Sequence, residues 1–296
     1  MAVDPGRVGA WLGGISFLPA AAERELVAEL EELGYSALWY GEIPKAKEAF
    51  SHASLLLAAS KSIVIGTGIA NIWLRPAMTM GAEARTVSEA YPGRFILGMG
   101  VSHPHLMESI GIDYKRPVST MREYLDGMDE PGFHPPEPPE PVTRVLAALR
   151  RPMLELAAER TDGAHPYFVP PEHTARAREI LGPGKLLCPE QAVLLETDPA
   201  EARRIGRSHT SFYMTAVNYV ESMKALGFEE ADCANGGSDR LIDAIVAWGD
   251  EDAIRARIQA HFDAGADHVC LQPLTDQFGA VDLDQLRRLA PVVEGM

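Results

Sequence analysis

Cysteine is scarce in this sequence, and the few cysteines form no pattern. The 296 residues contain only Cys188, Cys233 and Cys270, which are far apart and outside any CxxC spacing. Such usage argues against a disulfide framework and fits a reducing compartment, so we expect a cytoplasmic protein. The three thiols are expected to be packing residues rather than nucleophiles or metal ligands, and no metal site is predicted.

Long hydrophobic runs and basic residues are also in short supply. No uninterrupted apolar stretch approaches the roughly 20 residues that a membrane-spanning helix needs, and the N-terminus lacks the pattern of a signal peptide. The 27 Lys and Arg residues stand against 42 Asp and Glu, which gives a net charge of −15. So acidic a chain is not expected to bind nucleic acid or an anionic membrane, and a small-molecule substrate is the expected partner.

Several catalytic signatures are absent as well. The sequence has no HExxH, no GxSxG, no P-loop and no paired carboxylates at the ends of its predicted strands. One apolar run ends in Gly98-Met99-Gly100, but the dinucleotide fingerprint requires a third glycine where this sequence has His103. A Rossmann-type fold is therefore not predicted.

What the sequence does contain is a regular alternation of strand-like and helix-like segments. Short apolar runs bounded by turn residues alternate with helical patterns of 3.6-residue period. The predicted strands are 8–12, 36–40, 62–66, 95–98, 143–149, 164–169, 191–197 and 268–272. The predicted helices are 19–33, 54–60, 77–90, 119–128, 153–160, 174–181, one from 198, 250–264 and 283–293.

This alternation predicts a TIM-type (β/α)8 barrel. Residues 1–296 are expected to form it as a single domain, with residues 206–248 as a helical insertion between strands seven and eight. The active site of such a barrel lies at the C-terminal ends of its strands. Function is therefore expected in the residues that directly follow each strand.

The predicted ends of strands three and four contain glycine, which leaves main-chain groups uncovered by side chains. Exposed backbone N–H groups at glycine-rich turns can hold an anion or a ring carbonyl. The residues there, 67–71 and 100–103, are mostly apolar, whereas a hydrolase would more often present an ionised cluster. These ends indicate a site that holds a flat ring.

Four segments of the chain resemble one known family. They are GYSALW (34–39), IGTGIAN (65–71), PGRFILGMGVSH (92–103) and ERTDGAHPY (159–167). Together, in this order, they resemble the luciferase-like monooxygenase superfamily, and in particular its actinobacterial branch of coenzyme F420-dependent oxidoreductases. The resemblance extends over nearly the whole chain and again implies a TIM-like barrel.

The resemblance implies a cofactor in the barrel mouth, either the deazaflavin coenzyme F420 or FMN. In such relatives a non-proline cis peptide bond, which costs about 3–4 kcal/mol, ends strand three and presses on one face of the ring. Here it would join Gly68 and Ile69. The implied cofactor contacts are Gly68, Ile69, Ala70, Asn71, Gly100, Val101, Ser102, His165, Pro166, Tyr167 and Phe168, the last four approaching the ribityl phosphate.

Catalytic residues carry over less completely. Many deazaflavin-dependent relatives have an Asp-His pair after strand two, and this sequence has Glu42-Ile43 there. His103 stands where a sugar-phosphate dehydrogenase relative has a catalytic glutamate, and an ordinary His pKa of about 6.5 suits either acid or base work. His103 is therefore the predicted proton donor or acceptor, with Glu42 as its partner. The structural alternatives are that Glu42 caps the next helix and that His103 anchors a loop.

Three functions remain open at this point. The first is F420-dependent hydride transfer to or from a small organic substrate, by a protein that the family suggests is a homodimer. The second keeps the fold but uses reduced FMN and O2, as a two-component monooxygenase served by a flavin reductase. The third is a cofactor-free barrel that acts as a binding or assembly subunit, which the missing histidine after strand two keeps open.

Overall fold

The computed structural model describes residues 2–277 and 279–296, in which parallel strands alternate with helices. The strands are β1 (Val8–Trp11), β2 (Ala37–Gly41), β3 (Val64–Asn71), β4 (Phe95–Gly100), β5 (Thr143–Leu146), β6 (Gly163–Ala164), β7 (Leu186–Leu187), β8 (Glu190–Leu194), β9 (Val246–Trp248) and β10 (Val269–Pro273). The α-helices are α1 (Ala20–Glu32), α2 (Ala49–Ala58), α3 (Ala77–Ala90), α4 (Pro104–Glu108), α5 (Pro117–Asp129), α6 (Arg151–Arg160), α7 (Pro171–Leu181), α8 (Pro199–Tyr213), α9 (Val217–Ala225), α10 (Glu230–Cys233), α11 (Asp239–Ile245), α12 (Glu251–Asp263) and α13 (Leu283–Glu294). Short 3-10 helices cover Gly13–Phe17 and Ala234–Gly236.

The strands form one curled sheet in the order β7-β6-β5-β4-β3-β2-β1-β10-β8-β9. The curl closes because β7 and β8 are consecutive in the chain. The N–H groups of Cys188 and Glu190 donate to the carbonyls of Ala164 and Pro166, each at 2.9 Å, which ties this segment to the β6 side. On its other edge, β8 pairs with β10. Together β7 and β8 form the seventh strand of a (β/α)8 barrel, and the predicted fold class is confirmed.

Two features of the barrel differ from the prediction. Pro189 interrupts strand seven, because proline has no N–H to donate to the ladder, and the strand begins at Leu186 rather than at 191. The insertion 206–248 was expected to be wholly helical. Its last residues instead form β9, which pairs in parallel with β8.

The start of α2 and the end of strand six differ from the prediction because individual side chains determine them. Helix α2 begins at Ala49 rather than at 54, since the Glu48 carboxylate accepts hydrogen bonds from the N–H groups of Phe50 and Ser51 at 2.9 and 2.8 Å. Strand six ends at Ala164 rather than at 169. The prolines that follow it lack the donors that a longer strand requires.

The barrel interior is filled by side chains. The Trp39 indole stacks on His165 with ring centroids 4.7 Å apart, and its Nε1–H donates to His268 Nε2 at 3.0 Å. Gly66 makes room for this indole, because a Cβ there would lie 2.4 Å from the Trp39 ring. A ligand therefore finds space only above this layer, at the C-terminal mouth of the barrel.

Candidate functional site

Strand β3 bulges where it reaches the barrel mouth. Thr67 pairs with Leu97 and Ala70 with Met99, so two residues of β3 stand opposite Gly98 alone. The Thr67 hydroxyl fills the gap in the ladder: it accepts from the Gly98 N–H and donates to the Gly98 carbonyl, both at 3.0 Å. Only glycine fits opposite the bulge, because a Cβ on Gly98 would lie 2.0 Å from the Thr67 carbonyl oxygen.

The bulge is built without a cis peptide bond. All peptide bonds among residues 2–277 and 279–296 are trans, so the predicted cis bond between Gly68 and Ile69 is wrong. A β-bulge accommodates an extra residue within trans geometry by bending the strand. The kink expected at this position is thus present, but it arises from the β-bulge and not from a cis peptide bond.

The residues after β4 are less buried than most of the predicted ring site. Val101, Ser102 and the neighbouring Ile69 are half-buried, whereas Gly100 is buried. Ser102 has a φ of 58°, a left-handed conformation that non-glycine residues rarely adopt. Trp73 Nε1–H donates to the Val101 carbonyl at 2.8 Å and holds this turn. Strained backbone at a strand end is commonly found at functional sites.

Two other predicted contacts of the ring are occupied within the protein. Asn71 is fully buried, and its Oδ1 accepts from the Trp73 N–H at 3.1 Å while its Nδ2 approaches Met107 Sδ at 3.5 Å. Ala70, the residue before it, is also fully buried. In this arrangement both residues shape the end of β3 rather than face the open mouth.

His103 lies at the rim and immediately precedes α4. Its imidazole is hydrogen-bonded to Asn218 of α9, lies 5.5 Å from the Tyr219 ring, and stacks on His105 at 5.9 Å. Burial, and to a lesser extent the neighbouring His105, lower the pKa of His103 to about 4. The ring is therefore neutral near pH 7 and a weaker base than an ordinary imidazole. Its buried Nδ1 has no hydrogen-bond partner among the described residues.

Glu42 is paired with Arg75 and not with His103. Arg75 Nη1 donates to Glu42 Oε2 at 2.9 Å, and Nη2 contacts Oε1. The same carboxylate accepts from the N–H groups of Asn71 at 2.9 Å and of Ala49, the first residue of α2, at 3.1 Å. All of the described contacts of Glu42 hold loops together, and its predicted partnership with His103 is not formed.

The β6 side of the mouth is covered by aromatic rings. His165, Pro166, Tyr167 and Phe168 are all buried. Phe168, with a φ of 61°, packs against Tyr213 of α8 at 4.9 Å and Tyr219 of α9 at 5.3 Å. The sequence offered no sign of this cover, because the insertion carries no readable pattern.

Two buried nitrogen atoms beside Gly68 have no partner among the described residues. They are Trp11 Nε1 and His165 Nε2, which lie 2.9 and 3.1 Å from the position that a Cβ on Gly68 would occupy. His165 Nδ1 lies 2.7 Å from the Cys188 carbonyl and must carry the proton of a neutral ring, so Nε2 is an acceptor. The indole Nε1–H is a donor. Unsatisfied buried groups of this kind are normally met by a ligand or by water.

The two sides of the barrel mouth differ in how well their residues suit a flavin-like ring. The β3–β4 side suits such a ring: it offers a bulged strand, the half-buried residues Val101 and Ser102, and the indole N–H of Trp11, which has no partner among the described residues. A ring edge that carries carbonyl and nitrogen atoms matches such groups. The β6 side offers no comparable opening, since His165, Pro166, Tyr167 and Phe168 are all buried.

One buried residue at the base of this region escaped the sequence analysis. Glu190, the first residue of β8, is 1% exposed, and its Oε2 accepts from the Phe168 N–H at 2.9 Å. Its Oε1 has no partner among the described residues, and burial raises the pKa of the carboxyl to about 8. The available signal was a lone acidic residue between Pro189 and an apolar strand.

Residues 2–277 and 279–296 contain neither a metal-binding cluster nor a membrane-spanning helix. No cluster of three or more His, Cys, Asp or Glu side chains is placed to hold a metal ion. No helix there combines the length and the apolarity that crossing a bilayer requires.

Comparisons with known proteins agree with the architecture. Along its sequence, the chain is 24% identical to 5,10-methylenetetrahydromethanopterin reductase of Archaeoglobus fulgidus, over 86% of this chain and 91% of that protein. It is 23% identical to a protein of Mycobacterium tuberculosis named as a coenzyme F420-dependent oxidoreductase, over 97% and 99% of the two chains. Its fold matches that of an F420-dependent secondary alcohol dehydrogenase in complex with an F420-acetone adduct, with a TM-score of 0.75, 14% identity and 99% coverage of both chains.

The family is shown by a match to more than half of the chain. Residues 1–182 of the 296 fit the sequence model described as luciferase-like monooxygenase. The matched part runs from β1 to the end of α7 and contains all four segments on which the resemblance rested. The chain belongs to the luciferase-like monooxygenase family and is an oxidoreductase of that class.

Proposed function

We propose that this protein binds coenzyme F420 in the barrel mouth and uses it for hydride transfer to or from a small organic substrate. The observation that carries the proposal is the left-handed turn at Ser102 which, with the half-buried Val101, follows β4 beside the β3 bulge. The full-length similarity to a protein named as an F420-dependent oxidoreductase supports the same cofactor.

The chain's own residues would hold and orient the ring. Ile69 on the bulge supports one face, and the main chain of Val101 and Ser102 lines an edge. The Trp11 Nε1–H supplies a donor for a ring carbonyl. When bound, the deazaflavin supplies the site that takes up or releases the hydride. The role of the protein is to position the reactants and to exclude water.

His103 is the proposed proton acceptor. It is neutral near pH 7, and Nδ1 is unpartnered, while Asn218 fixes the ring orientation. When an alcohol is oxidised, its hydride leaves with one electron pair and its hydroxyl proton passes to this imidazole. Glu42 has no part in that step, because its carboxylate is committed to Arg75. Its proposed role is to fix the loop after β3.

The segment His165–Phe168 remains the proposed neighbour of the ribityl phosphate. Because Tyr213 and Tyr219 cover Phe168, binding the whole cofactor requires α8 and α9 to shift away from β6. We propose this shift as part of binding.

A second candidate keeps the fold but uses reduced FMN and O2. The aromatic cover formed by Phe168, Tyr213 and Tyr219 favours it, because an oxygenated flavin needs a mouth from which water is excluded. In that case a separate flavin reductase would supply the reduced cofactor.

Titration of the cofactor-free protein with F420 and with FMN, followed by fluorescence quenching, distinguishes these functions. Tighter binding of F420 is the expected result, tighter binding of FMN would favour the monooxygenase, and binding of neither would favour a cofactor-free barrel. Trp11→Phe removes the proposed indole donor and should weaken binding. Trp248→Phe is the matched control, because its Nε1–H donates to Asp243 at 2.9 Å, in an ion-paired cluster with Arg203 on the insertion.

A further inference from the structure

A cleft of about 550 Å³, which we call the arginine cleft, lies between the loop after β5, α6, α7 and α9. Arg150 in that loop, Arg151 at the start of α6 and Arg176 on α7 all line it. Two carboxylates, those of Glu179 and Glu221, line it as well. Positive charge therefore predominates in this cleft, although the chain as a whole has 42 acidic and only 27 basic residues.

The charge of Arg150 is the least compensated of the three. Arg151 is ion-paired with Glu155 one turn along α6, and the Arg176 guanidinium donates to the Ala225 carbonyl of α9. The Arg150 guanidinium has neither an ion pair nor a hydrogen bond among residues 2–277 and 279–296. Arginine forms its strongest hydrogen bonds with carboxylate and phosphate groups, which match its planar fork. The cleft thus has free donors for an oxyanion.

A buried histidine in the wall of the arginine cleft is a second, independent sign of a ligand. His173 of α7 is 5% exposed, and its Nε2–H must donate to the Leu149 carbonyl, which lies 2.6 Å away. Burial lowers the pKa of His173, so the ring is neutral near pH 7 and Nδ1 is an acceptor. This buried Nδ1 has no partner among the described residues. A ligand that carries an O–H or N–H beside its oxyanion would satisfy it.

The arginine cleft adjoins the proposed ring site. Strand β5 pairs with β4, so Arg150 and the turn at Ser102 follow neighbouring strand ends. Burial raises the pKa of Tyr114 to about 12 and the charge of Arg150 opposes that rise, which places the two groups within electrostatic range. The Tyr114 O–H in turn donates to the Ser102 carbonyl at 3.4 Å. A molecule bound beside Ser102 therefore has the arginines of the cleft next to it.

The cations of the cleft do not depend on the position of the insertion. Arg150 and Arg151 lie at the start of α6 and Arg176 lies on α7, outside α8 and α9. The shift of α8 and α9 proposed for cofactor binding would therefore leave all three in place. It would also separate Arg176 from the Ala225 carbonyl, which frees a guanidinium N–H for a ligand.

We propose that the arginine cleft binds an oxyanion, either a carboxylate or a phosphate group, of the molecule that occupies the mouth. Arg150 and Arg176 supply charge-assisted hydrogen bonds, and His173 accepts one from a hydroxyl or N–H of the same group. The inference rests on the proposed function, because it adds a second part to the same site. Two sources supply this chemistry: the negatively charged tail of the cofactor and an anionic group of the substrate.

Calorimetric titration of the cofactor-free protein with inorganic phosphate tests the cleft itself. Hydrogen phosphate carries both an oxyanion and an O–H, and the wild type should bind it at one site. Arg150→Gln should weaken this binding about tenfold or more, since a hydrogen bond to a charged group is lost. Arg24→Gln on α1 is the matched control, because Arg24 is also exposed and has no ion pair among the described residues. An absence of phosphate binding, or equal weakening by both substitutions, would overturn the proposal.

Two further measurements distinguish the sources of the oxyanion. If the cofactor tail is bound, Arg150→Gln should weaken the binding of F420 about tenfold and leave unchanged that of a deazaflavin riboside without phosphate or tail. If the substrate is bound, the same variant should keep its F420 affinity and raise KM for a hydroxy acid but not for a neutral alcohol. No change in either measurement would overturn the proposal. Failure of the wild type to bind F420 would contradict the proposed function, and it would be recognised separately because the phosphate titration needs no cofactor.

Discussion

The carboxylate of Glu42 and the guanidinium of Arg75 form a two-point ion pair at the rim of the barrel. The side chains are only 3% and 8% exposed. Through this pair the loop after β2 is joined to the loop after β3, since Glu42 also accepts from the Asn71 N–H. A buried ion pair stabilises a protein only when its geometry is good and its remaining hydrogen bonds are formed, as they are here.

Replacing Arg75 by Met should destabilise the protein by about 3–5 kcal/mol, because it leaves Glu42 buried without its counter-charge. Arg75→Lys should restore only part of this, since an ammonium cannot form the two-point contact. Urea denaturation measures the change. Arg122→Met is the control: its pair with Glu159 is exposed, and the midpoint should hardly move. A small effect at both positions would mean that the rim pair contributes nothing.

Thr67→Val tests the β3 bulge. The substitution keeps the shape of the side chain and removes both hydrogen bonds to Gly98, which leaves a buried N–H and a buried carbonyl unsatisfied. We expect a loss of about 1–3 kcal/mol in the free energy of unfolding and weaker cofactor binding. Thr86→Val, at an exposed position on α3, is the control. Unchanged cofactor affinity in a destabilised Thr67→Val protein would show that the bulge serves folding alone.

Buried histidines should make the protein acid-sensitive. Burial lowers the pKa of His165 and His268 to about 4 and that of His209 and His261 to about 3. In the unfolded chain each of these histidines titrates near pH 6.5, so between pH 6.5 and 4 the unfolded chain binds protons that the native state does not bind. Stability is fully present above pH 6.5 and falls as the pH decreases, by up to about 5 kcal/mol per pH unit for four such groups.

Urea midpoints measured at pH 7, 6 and 5 test this prediction. The steepest loss should lie between pH 6 and 5, and on unfolding at pH 5 each of these four rings, and His103 with its pKa of about 4, should take up about one proton, as potentiometry would measure. A midpoint that is the same at all three values would show that these rings are protonated in the folded protein.

His103→Ala should lower turnover in the oxidative direction by about 10²–10⁴-fold, which is the usual contribution of a general base. Asn218→Ala should have a smaller effect of the same kind, because it frees the ring without removing it. Cofactor affinity in both variants serves as the internal control and is expected to change little. Turnover that is unaffected by His103→Ala would remove this residue from the mechanism.

The fold was predictable because strand and helix periods are local. The apolar run of β4 and the helix over residues 77–90 were recognised at nearly their true positions. The error at β3 has a physical cause: the strand was predicted to end at residue 66, but it continues as a bulge to Asn71 because the Thr67 side chain replaces ladder hydrogen bonds. Periodicity does not register such side-chain bonds.

The site was predictable only in outline. The ring-binding main chain at Val101 and Ser102 follows from glycine-rich strand ends, and it remains a prediction until a cofactor is bound. The partner of Glu42 could not be foreseen, because the carboxylate is equally suited to His103 or to an arginine. The aromatic cover from Tyr213 and Tyr219 was missed because helices α8 and α9 have no pattern that points to the mouth.

By itself, the sequence determined the alternation of strands and helices and the family, since these depend on neighbouring residues and short motifs. The tertiary structure alone decided which side chains meet at the barrel mouth. Glu42 and Arg75 are 33 residues apart, and Tyr167 and Gln272 are 105 apart. The protonation states of His103 and Glu190 were decided in the same way, because a pKa follows from burial and from partners that the closed barrel brings together.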